Sequence, residues 1–581
     1  MKASDYIAEF FASKNIDKVF GYIGGMITHL ADSLALSDKV EFVSTIHEQG
    51  AAFAAEGYAR VCGKTAVAMA TSGPGATNLL TGVGSCFFDS VPVMFITGQV
   101  NTYDYKGSLP IRQRGFQETD IVAMARPITK YAVRISRADD LKYELQKAYH
   151  IANSGRKGPV LIDIPMDIQR AQCNFAKLRS FKAPRQRYAK NLDLRIKKIA
   201  AIIKEAKRPA MLLGAGVSYE AIDLAKSFAE KNSIATVLSL NGRDRMAKSP
   251  LNMGLVGVYG TRYANFTVAN SDVLLVVGSR LDSRQTGNNH KLFARNAKIV
   301  RVDIDKDEAK HSNMKANTTL ITSSLEFFKR IAKLDCNENR NEWLKYLANC
   351  KKAFPIDFAY KNTPKYENIF VRKVSQTAKN AKCICADVGQ NQIWTAQSYE
   401  NLKGQRMLFS GGMGAMGFAL PAAIGAAMAT KKQCVVFCGD GGFQMNIQEL
   451  EVVKRRNLPI KIFVFDNKCL GMVRQFQEMY FQGRRTGTVD DYSSPDFCRI
   501  AKAYKIKSVR INVKKPSQKV LDKIFADNNP VVVVVVDGQD SNIEPKLTLQ
   551  HPLEDMTKYL PRKEFLKFML VKPAKESLEN E

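Results

Sequence analysis

Two short polar turns, each preceded by an apolar run, lie within residues 434–472. Cys438–Gly441 reads Cys-Gly-Asp-Gly, and Asp466–Asn467 follows the second run. If both runs are parallel strands of one βαβ unit, the polar residues lie at the carboxyl ends of neighbouring strands, where open α/β sheets bind ligands. A carboxylate, an amide oxygen and a nearby backbone carbonyl suit Mg²⁺, which prefers hard oxygen ligands. Because glycines let the backbone approach a diphosphate closely, the segment predicts a diphosphate–Mg²⁺ site.

The sequence around these turns predicts the elements that position them. Cys434–Cys438 and Ile460–Phe465 are short and apolar, as buried parallel strands are, and Asn446–Arg456 between them is predicted to be a helix. Gly-Asp-Gly alone is usually only a turn. The polar pair after the second strand favours the ligand site over that simpler interpretation.

Glu48 is a second candidate for chemistry. It follows another predicted strand, Val40–Ile46. A carboxyl group at the end of a strand could act as a general acid or base on a ligand bound there. Taken alone, a carboxylate at a strand end more often faces water. The diphosphate–Mg²⁺ motif elsewhere in the chain favours the catalytic interpretation.

A series of segments resembles the acetohydroxyacid synthase (acetolactate synthase) family of thiamine diphosphate (ThDP) enzymes. They are GYIGG (21–25), HEQGAAFAAEGYAR (47–60), TSGPGATN (71–78), DSVPVMFITGQV (89–100), GFQETD (115–120), SGRKGPVLIDIPMD (154–167), GSRLDSRQTGN (278–288), DVGQNQIWTAQ (387–397), SGGMGAMGFALPAAIGA (410–426) and LGMVRQFQE (470–478). The resemblance covers about residues 1–540, in order. It implies three doubly wound, mostly parallel-sheet α/β domains, which suits a chain of 581 residues. We expect a pyrimidine-binding domain over 1–172, a central domain over 190–335, a diphosphate-binding domain over 365–540 and a tail over 541–581.

The same resemblance implies roles for individual residues. Glu48 would activate the cofactor, while the Gly25 N–H and Gln117 would face the thiazolium ring and the bound carbonyl group. Met416 would be the apolar wedge that bends the cofactor. Mg²⁺ would be held by Asp440, Asn467 and the carbonyl of Cys469. The other positions expected at ThDP are Gly389, Gln390, Asn391, Gly414, Gly439, Gly441, Gly442 and Met472.

FAD is the second cofactor that the resemblance implies. The matched positions are Arg156, Gly214, Gly216, Arg280 and Asp305. The residues alone say less, because Tyr219 occupies the third glycine position of a G-x-G-x-x-G fingerprint that begins at Gly214. In the family the flavin is largely structural, and some members lack it.

The substrates that the resemblance implies are pyruvate and a second 2-keto acid, with Phe116, Val473 and Phe476 at the substrate. Members that make branched-chain amino acid precursors carry Trp where this chain has Phe476. Further departures are Met166 for Lys, Ser283 for Asp, Tyr259 for His and an unusual segment at 544–570. The acceptor therefore stays open. The alternative is transfer of the acetyl unit to a keto-sugar nucleotide during branched-sugar biosynthesis for surface glycans.

Family resemblance also implies an active site between two chains, one contributing Glu48 and the other the 439–467 unit. A homodimer or homotetramer is expected, and a regulatory subunit is left open. Two rivals remain: a decarboxylase or oxidase on the same fold, and a non-catalytic or nucleic-acid-binding protein.

Composition limits the partners. The net charge is +30, from 86 basic and 56 acidic residues. The basic residues are spread widely and accompany no nucleic-acid module, so neither nucleic acid nor membrane is an expected partner. The chain has 11 cysteines and only 6 histidines, without a C-x-x-C pair. This pattern favours a reducing cytoplasm over a disulfide framework or a zinc site.

Overall fold

The computed structural model describes residues 1–184, 191–359 and 362–578. These residues form three α/β domains, each built on a six-stranded sheet. Every pairing between the strands named below is parallel. Because the connecting helices cover both faces, the central strands are buried and read as continuous apolar runs. The predicted fold class is confirmed.

The first domain has the strand order β2-β1-β3-β4-β6-β5. Its strands are β1 (Lys18–Gly21), β2 (Glu41–Ser44), β3 (Ala66–Ala70), β4 (Val93–Gln99), β5 (Tyr131–Arg134) and β6 (Val160–Pro165). Its helices are α1 (Ala3–Ser13), α2 (Thr28–Ala35), α3 (Glu48–Cys62), α4 (Pro74–Asn78), α5 (Leu80–Phe88), α6 (Ile121–Ala125), α7 (Leu141–Asn153) and α8 (Met166–Arg170). The stretch between the first two predicted domains follows, and residues 185–190 lie outside the described ranges.

The second domain has the order β12-β11-β10-β7-β8-β9. Its strands are β7 (Pro209–Leu213), β8 (Ala235–Leu238), β9 (Asn252–Leu255), β10 (Val273–Val277), β11 (Lys298–Asp303) and β12 (Thr318–Ile321). Its helices are α9 (Leu192–Glu205), α10 (Ile222–Lys231), α11 (Arg262–Asn270), α12 (Ser283–Thr286), α13 (Lys306–His311), α14 (Ser324–Ile331) and α15 (Asn341–Ala353). The stretch 335–366, between the predicted central and diphosphate-binding domains, carries α15, whose Trp343 and Leu347 are buried in the core of this domain.

The third domain has the order β14-β13-β15-β16-β18-β17. Its strands are β13 (Cys383–Ala386), β14 (Arg406–Phe409), β15 (Cys434–Gly439), β16 (Ile460–Asp466), β17 (Lys507–Asn512) and β18 (Val531–Val536). Its helices are α16 (Tyr366–Thr377), α17 (Gln390–Ser398), α18 (Ala419–Thr430), α19 (Asp440–Met445), α20 (Leu450–Arg455), α21 (Gly471–Tyr480), α22 (Phe497–Ala503) and α23 (Gln518–Phe525), with α24 (Arg562–Lys567) in the tail. Within the described ranges, no helix is long and apolar enough to cross a membrane.

The predicted helix Asn446–Arg456 is wrong at its start. The chain is already helical from Asp440, leaves the helix at Asn446 (φ −133°, ψ 31°) and resumes as α20. The Asn446 amide donates to the carbonyl of Gly417 at 2.9 Å and to the Gln49 side chain at 3.0 Å. These contacts with residues distant in sequence compete with helical continuation, which no local pattern reveals.

The residues beyond β18 fold back onto the second domain. Leu547, Leu553 and Met556 are buried in the core of that domain. Arg295 donates to the buried Glu554 carboxylate at 2.6 Å. The tail, predicted only as a segment that follows the third domain, is therefore a packed part of the molecule.

Candidate active site

The first domain brings Gly25, Glu48 and Gln117 to the carboxyl edge of its sheet. They follow β1, β2 and β4, respectively. The Met26 N–H donates to the Thr71 hydroxyl at 3.2 Å, so the loops after β1 and β3 are in contact. A Cβ placed on Gly25 would meet nothing within 4 Å, so open space lies beside this backbone. The three predicted catalytic residues thus share one edge of one sheet.

Glu48 lies at the first position of α3 and is only 7% exposed. Its Oε2 accepts a hydrogen bond from the Asn78 amide at 3.0 Å. A Cβ on Gly75 would lie 3.1 Å from Oε1, so the glycine leaves room beside the carboxyl group. A carboxyl group has more acceptor capacity than one amide fills. Glu48 is therefore buried and retains capacity for a ligand.

The third domain places the predicted metal ligands at the carboxyl edge of its own sheet. Asp440 follows β15, and Asn467 follows β16. Oδ1 of Asp440 accepts from the Gly441 N–H at 2.8 Å and from the Tyr492 hydroxyl at 3.0 Å. The Cys469 N–H donates to Oδ1 of Asn467 at 3.2 Å, which fixes the turn that carries the predicted carbonyl ligand.

Asp440 has an unsatisfied oxygen. Its Oδ2 is buried and has no hydrogen-bond partner within the part of the chain that the structure describes. Burial raises the pKa of Asp440 to about 6. A cation would satisfy this oxygen and favour the ionised form. The described ranges hold no cluster of three His, Cys, Asp or Glu residues suited to a metal. The predicted Mg²⁺ set needs none, since it combines one carboxylate with an amide and a carbonyl oxygen.

The other positions predicted to bind ThDP meet at the same edge. The Asn391 amide donates to the carbonyl groups of Asp387 and Phe437 at 2.8 and 3.1 Å. The Asn467 amide donates to the Gln390 side chain at 3.4 Å. A Cβ added to any of four glycines would lie within 4 Å of a neighbouring side chain; these are Gly389, Gly439, Gly441 and Gly442. Gly414 has φ +68° and open space around it.

Met416 and Met472 border this edge. The Met416 methyl group lies 3.3 Å from the Cβ position of Gly441. Met472 is half-buried in the first turn of α21. Met416 therefore adjoins the glycine turn, Met472 lies just after the predicted metal ligands, and the residues fit a bound diphosphate and its metal.

Hydrogen bonds join the two domains beside Glu48. The backbone N–H groups of Ile46 and His47 donate to Oε1 of Glu449 at 3.2 and 3.1 Å. Glu449 is fully buried. Nevertheless, no hydrogen bond or ion pair between described residues links Glu48 to Asp440 or Asn467.

The predicted substrate positions are exposed. Val473 and Phe476 are 50% and 41% exposed on α21, and Tyr480, which was not predicted, is 37% exposed on the same helix. Their spacing places them along one side of the helix. Phe116, two positions after the exposed Arg114, is 78% exposed. An apolar strip therefore runs from the start of α21, close to the metal ligands.

A cavity of about 1500 Å³ lies against the second domain. Arg156, Gly216 and Arg280 line it, and Arg156 pairs with Asp305 at 3.3 Å. The cavity exceeds the usual size of a drug-like ligand pocket. Arg245, which also lines it, is 5% exposed, and its Nε has no partner among the described residues. The donor set and the volume fit a large anionic ligand such as a dinucleotide.

Gly214 and Gly216 are explained by packing. A Cβ on Gly214 would lie 2.1 Å from the Gly278 carbonyl oxygen, and one on Gly216 would lie 2.8 Å from the Gly278 Cα. The turn after β7 and the turn after β10 thus touch through backbone atoms. These glycines are required for this contact, with or without a bound ligand.

Sequence reasoning missed several residues of the site. Tyr492 bonds Asp440 from a loop without any motif. Asp387 accepts from the Gly417 and Ala419 N–H groups at 3.0 and 3.2 Å, and burial raises its pKa to about 7. It lies inside a segment already quoted, but its type alone gave it no role. Glu449 had no signal, because its partners come from another domain.

Comparisons with known proteins cover all three domains. Three family models of the thiamine pyrophosphate (TPP, a synonym of ThDP) enzymes match the chain. They are the N-terminal TPP binding domain over residues 1–124, the central domain over 196–331 and the C-terminal TPP binding domain over 387–535. Each of these ranges falls within one of the three domains described above.

Full-length relatives give the same result. The chain is 33% identical over 549 residues to the acetolactate synthase large subunit of Lactococcus lactis, covering 94% of each chain. It is 34% identical to the acetolactate synthase isozyme 2 large subunit of Escherichia coli, covering 94% of this chain and 97% of that one. It is 35% identical to a probable acetolactate synthase large subunit of Methanocaldococcus jannaschii, covering 92% of each. The chain therefore belongs to the acetolactate synthase large-subunit family of ThDP-dependent enzymes.

Proposed function

We propose that this protein is a ThDP- and Mg²⁺-dependent carboligase that decarboxylates pyruvate and transfers the two-carbon unit to a second 2-keto acid. With pyruvate as acceptor, the product is 2-acetolactate. The observation that carries the proposal is a carboxyl group with free acceptor capacity at each of two sheet edges. Glu48 is buried at the edge of the first sheet, and Asp440 has an unsatisfied oxygen at the edge of the third. The names of the relatives support this choice of reaction.

Each residue has a task in this reaction. When bound at these two edges, ThDP would supply a nucleophilic carbon and an electron sink for the decarboxylation. Glu48 hydrogen-bonds the aminopyrimidine nitrogen and assists its proton transfer. The Gly25 N–H and the Gln117 side chain stabilise the oxygen of the attacked carbonyl group. Asp440, Asn467 and the Cys469 carbonyl would hold Mg²⁺ against the diphosphate.

The dimer is part of the proposal. Among the described residues, no hydrogen bond links Glu48 to Asp440 within one chain, while Phe116 and Phe476 are exposed. A second copy would cover these rings and bring opposite edges together, which removes apolar surface from water. The relatives' names describe large subunits, which supports a smaller partner chain as a further component. We also propose residence in the cytoplasm, because all 11 cysteines are free.

FAD belongs to the proposal at the large cavity. Arg156, Arg245 and Arg280 provide cationic groups for its diphosphate, and the volume accepts a dinucleotide. The absorption spectrum of the purified protein tests this point. A visible flavin band that is lost in Arg245→Met would support it, and a colourless wild-type protein that does not take up added FAD would contradict it.

Product analysis tests the main proposal. Purified protein is incubated with ThDP, Mg²⁺ and labelled pyruvate, and products are identified by mass spectrometry. We expect labelled CO₂ and 2-acetolactate. Release of CO₂ with acetaldehyde or acetate as the only product would indicate a decarboxylase or an oxidase. Absence of CO₂ would contradict the proposed function.

A further inference from the structure

Lys546 is a buried cation without an acidic partner. The residue is 4% exposed, and two backbone hydrogen bonds with Thr557 fix its main chain. Within the described ranges, no carboxylate lies within 4.0 Å of its ammonium group, and no acceptor receives a hydrogen bond from it. Burial lowers the pKa of Lys546 to about 8. A mostly buried side chain with an unpaired charge is costly, so an anion that pairs with this ammonium group would be bound favourably.

The position of this cation is specific. Its Nζ lies 5.6 Å from the centre of the Phe476 ring. Phe476 belongs to the exposed strip of α21, between Val473 and Tyr480. Along the helix axis, Phe476 lies about 8 Å from Gly471, which follows the predicted metal ligands closely in sequence. The ammonium group therefore lies beyond the cofactor edge, at the far part of the predicted substrate strip.

Hydrogen bonds hold the tail against α21. Gln475 donates to the Ile543 carbonyl and accepts from the Ile543 N–H, both at 3.0 Å. The buried Arg474 donates to the Ser541 carbonyl at 2.6 Å. The Leu549 N–H donates to the Tyr480 hydroxyl at 3.3 Å. Since these contacts flank Lys546 on both sides, its place beside Phe476 is set by the fold.

The nearby acidic groups are already paired. Glu544 bonds Lys558 at 3.4 Å. Glu478 bonds Arg474 at 2.6 Å and Arg485 at 2.8 Å. The positive charge of Lys546 is thus available to an anion that approaches along the strip.

We propose that Lys546 binds an acidic group of the acceptor, so that the preferred acceptor carries negative charge remote from its reacting carbonyl. This inference rests on the proposed carboligase function and narrows its acceptor class. The remote group is a carboxylate or a phosphate, both of which an ammonium group binds. It is unchanged in the reaction: the acceptor's carbonyl carbon gains the new C–C bond, and its oxygen takes a proton. Phe476 forms the apolar wall beside the bound chain.

Acceptor competition tests the proposal. The holoenzyme receives labelled pyruvate with one of three acceptors: 2-ketobutyrate, 2-oxoglutarate or UDP-4-keto-6-deoxyglucose. The first lacks a remote acidic group, the second carries a carboxylate and the third a diphosphate. We expect kcat/KM for one of the two acidic acceptors to exceed that for 2-ketobutyrate by at least tenfold. The preferred acidic acceptor shows whether Lys546 binds a carboxylate or a phosphate group.

Variants then assign the effect to Lys546. Lys546→Met should lower the ratio of acidic to neutral acceptor at least tenfold, and Lys546→Arg should retain most of it. Lys567→Met removes an exposed charge from α24 and serves as the matched control, with basal activity and acceptor ratio unchanged. Thermal unfolding of each variant checks folding, and Lys546→Gln replaces the Met variant if that fails to fold.

Two results would overturn the proposal. One is a wild-type preference for 2-ketobutyrate over both acidic acceptors. The other is an acceptor ratio that does not change in Lys546→Met or Lys546→Gln. Absence of CO₂ release with every acceptor is a different outcome, since it would contradict the carboligase function itself.

Discussion

Glu48 combines burial with unused hydrogen-bonding capacity. Among the described residues, its carboxyl group accepts a hydrogen bond only from the Asn78 amide, and space remains beside Gly75. An ordinary structural carboxylate in a protein interior has its acceptors satisfied. The arrangement at the residue scale is therefore that of a group prepared for a ligand.

Glu48→Gln should lower kcat for acetolactate formation by about 100-fold or more, the usual contribution of a positioned acid or base. The amide keeps the shape but cannot transfer the proton. Steady-state kinetics measure the loss, and the thermal unfolding temperature should stay close to that of the wild type. Glu205→Gln, an exposed change on α9, is the control. Full turnover in Glu48→Gln would refute the catalytic assignment.

Asp440→Asn should weaken Mg²⁺ binding at least tenfold, because it removes the only anionic ligand of the predicted set. Isothermal titration of the ThDP-loaded protein with Mg²⁺ measures this without reference to turnover. Tyr492→Phe removes a hydrogen bond to the same carboxylate and should have a smaller effect. Equal Mg²⁺ affinity in wild type and Asp440→Asn would place the metal elsewhere.

At the scale of elements, Glu449 joins the start of α3 to the segment before α20. Its carboxylate accepts hydrogen bonds from the N–H groups of Ile46 and His47, the residues directly before Glu48. A Cβ on Gly50 would lie 2.3 Å from Oε1 of Glu449, so the helix must present a glycine there. The third domain thereby positions the catalytic turn of the first.

The ionisation of Glu449 should make stability depend on pH. Burial raises the pKa of Glu449 to about 7, above its ordinary value of 4.5, although the Ile46 and His47 N–H groups and Arg455 oppose the shift. Between these two values the folded state retains a proton that the unfolded state has lost, so this contribution to stability falls as pH rises. The Glu449→Gln variant lacks this pH-dependent contribution to stability. Thermal unfolding of both proteins at pH 5 and pH 8 should show the variant gaining relative to wild type at pH 8. An unchanged difference between the two proteins would contradict the assignment.

At the scale of the whole molecule, the predicted active site needs edges from two chains. Glu48→Gln and Asp440→Asn place one defect on each edge. A mixed dimer of the two variants would contain one site with both defects and one intact site. Random pairing makes half of the dimers mixed, so co-expression should restore about one quarter of wild-type activity.

Two differently tagged chains allow the mixed species to be purified and assayed for acetolactate. The homodimer of each variant, carried through the same purification, is the control. If each site lay within a single chain, the mixed dimer would contain two damaged sites and stay inactive. That outcome would refute the shared-site prediction.

The sequence by itself determined which residues can do chemistry and the sheets that carry them. The third-domain strands can be predicted from the sequence because parallel strands buried on both faces must be apolar, as Val531–Val536 is. Asp440 and Asn467 can be predicted because they follow such strands directly, and a strand's carboxyl end fixes where the next residues lie. Glu48 can be predicted because it lies shortly after the end of β2.

Only the tertiary structure decided the rest. The break at Asn446, the hydrogen bonds from Ile46 and His47 to Glu449, and the cation of Lys546 beside Phe476 depend on contacts between distant parts of the chain. Local sequence patterns report backbone preference and burial, but they do not report which remote group a side chain meets. The acceptor specificity proposed here arises from such a meeting, since the tail and α21 come together only when the domains have packed.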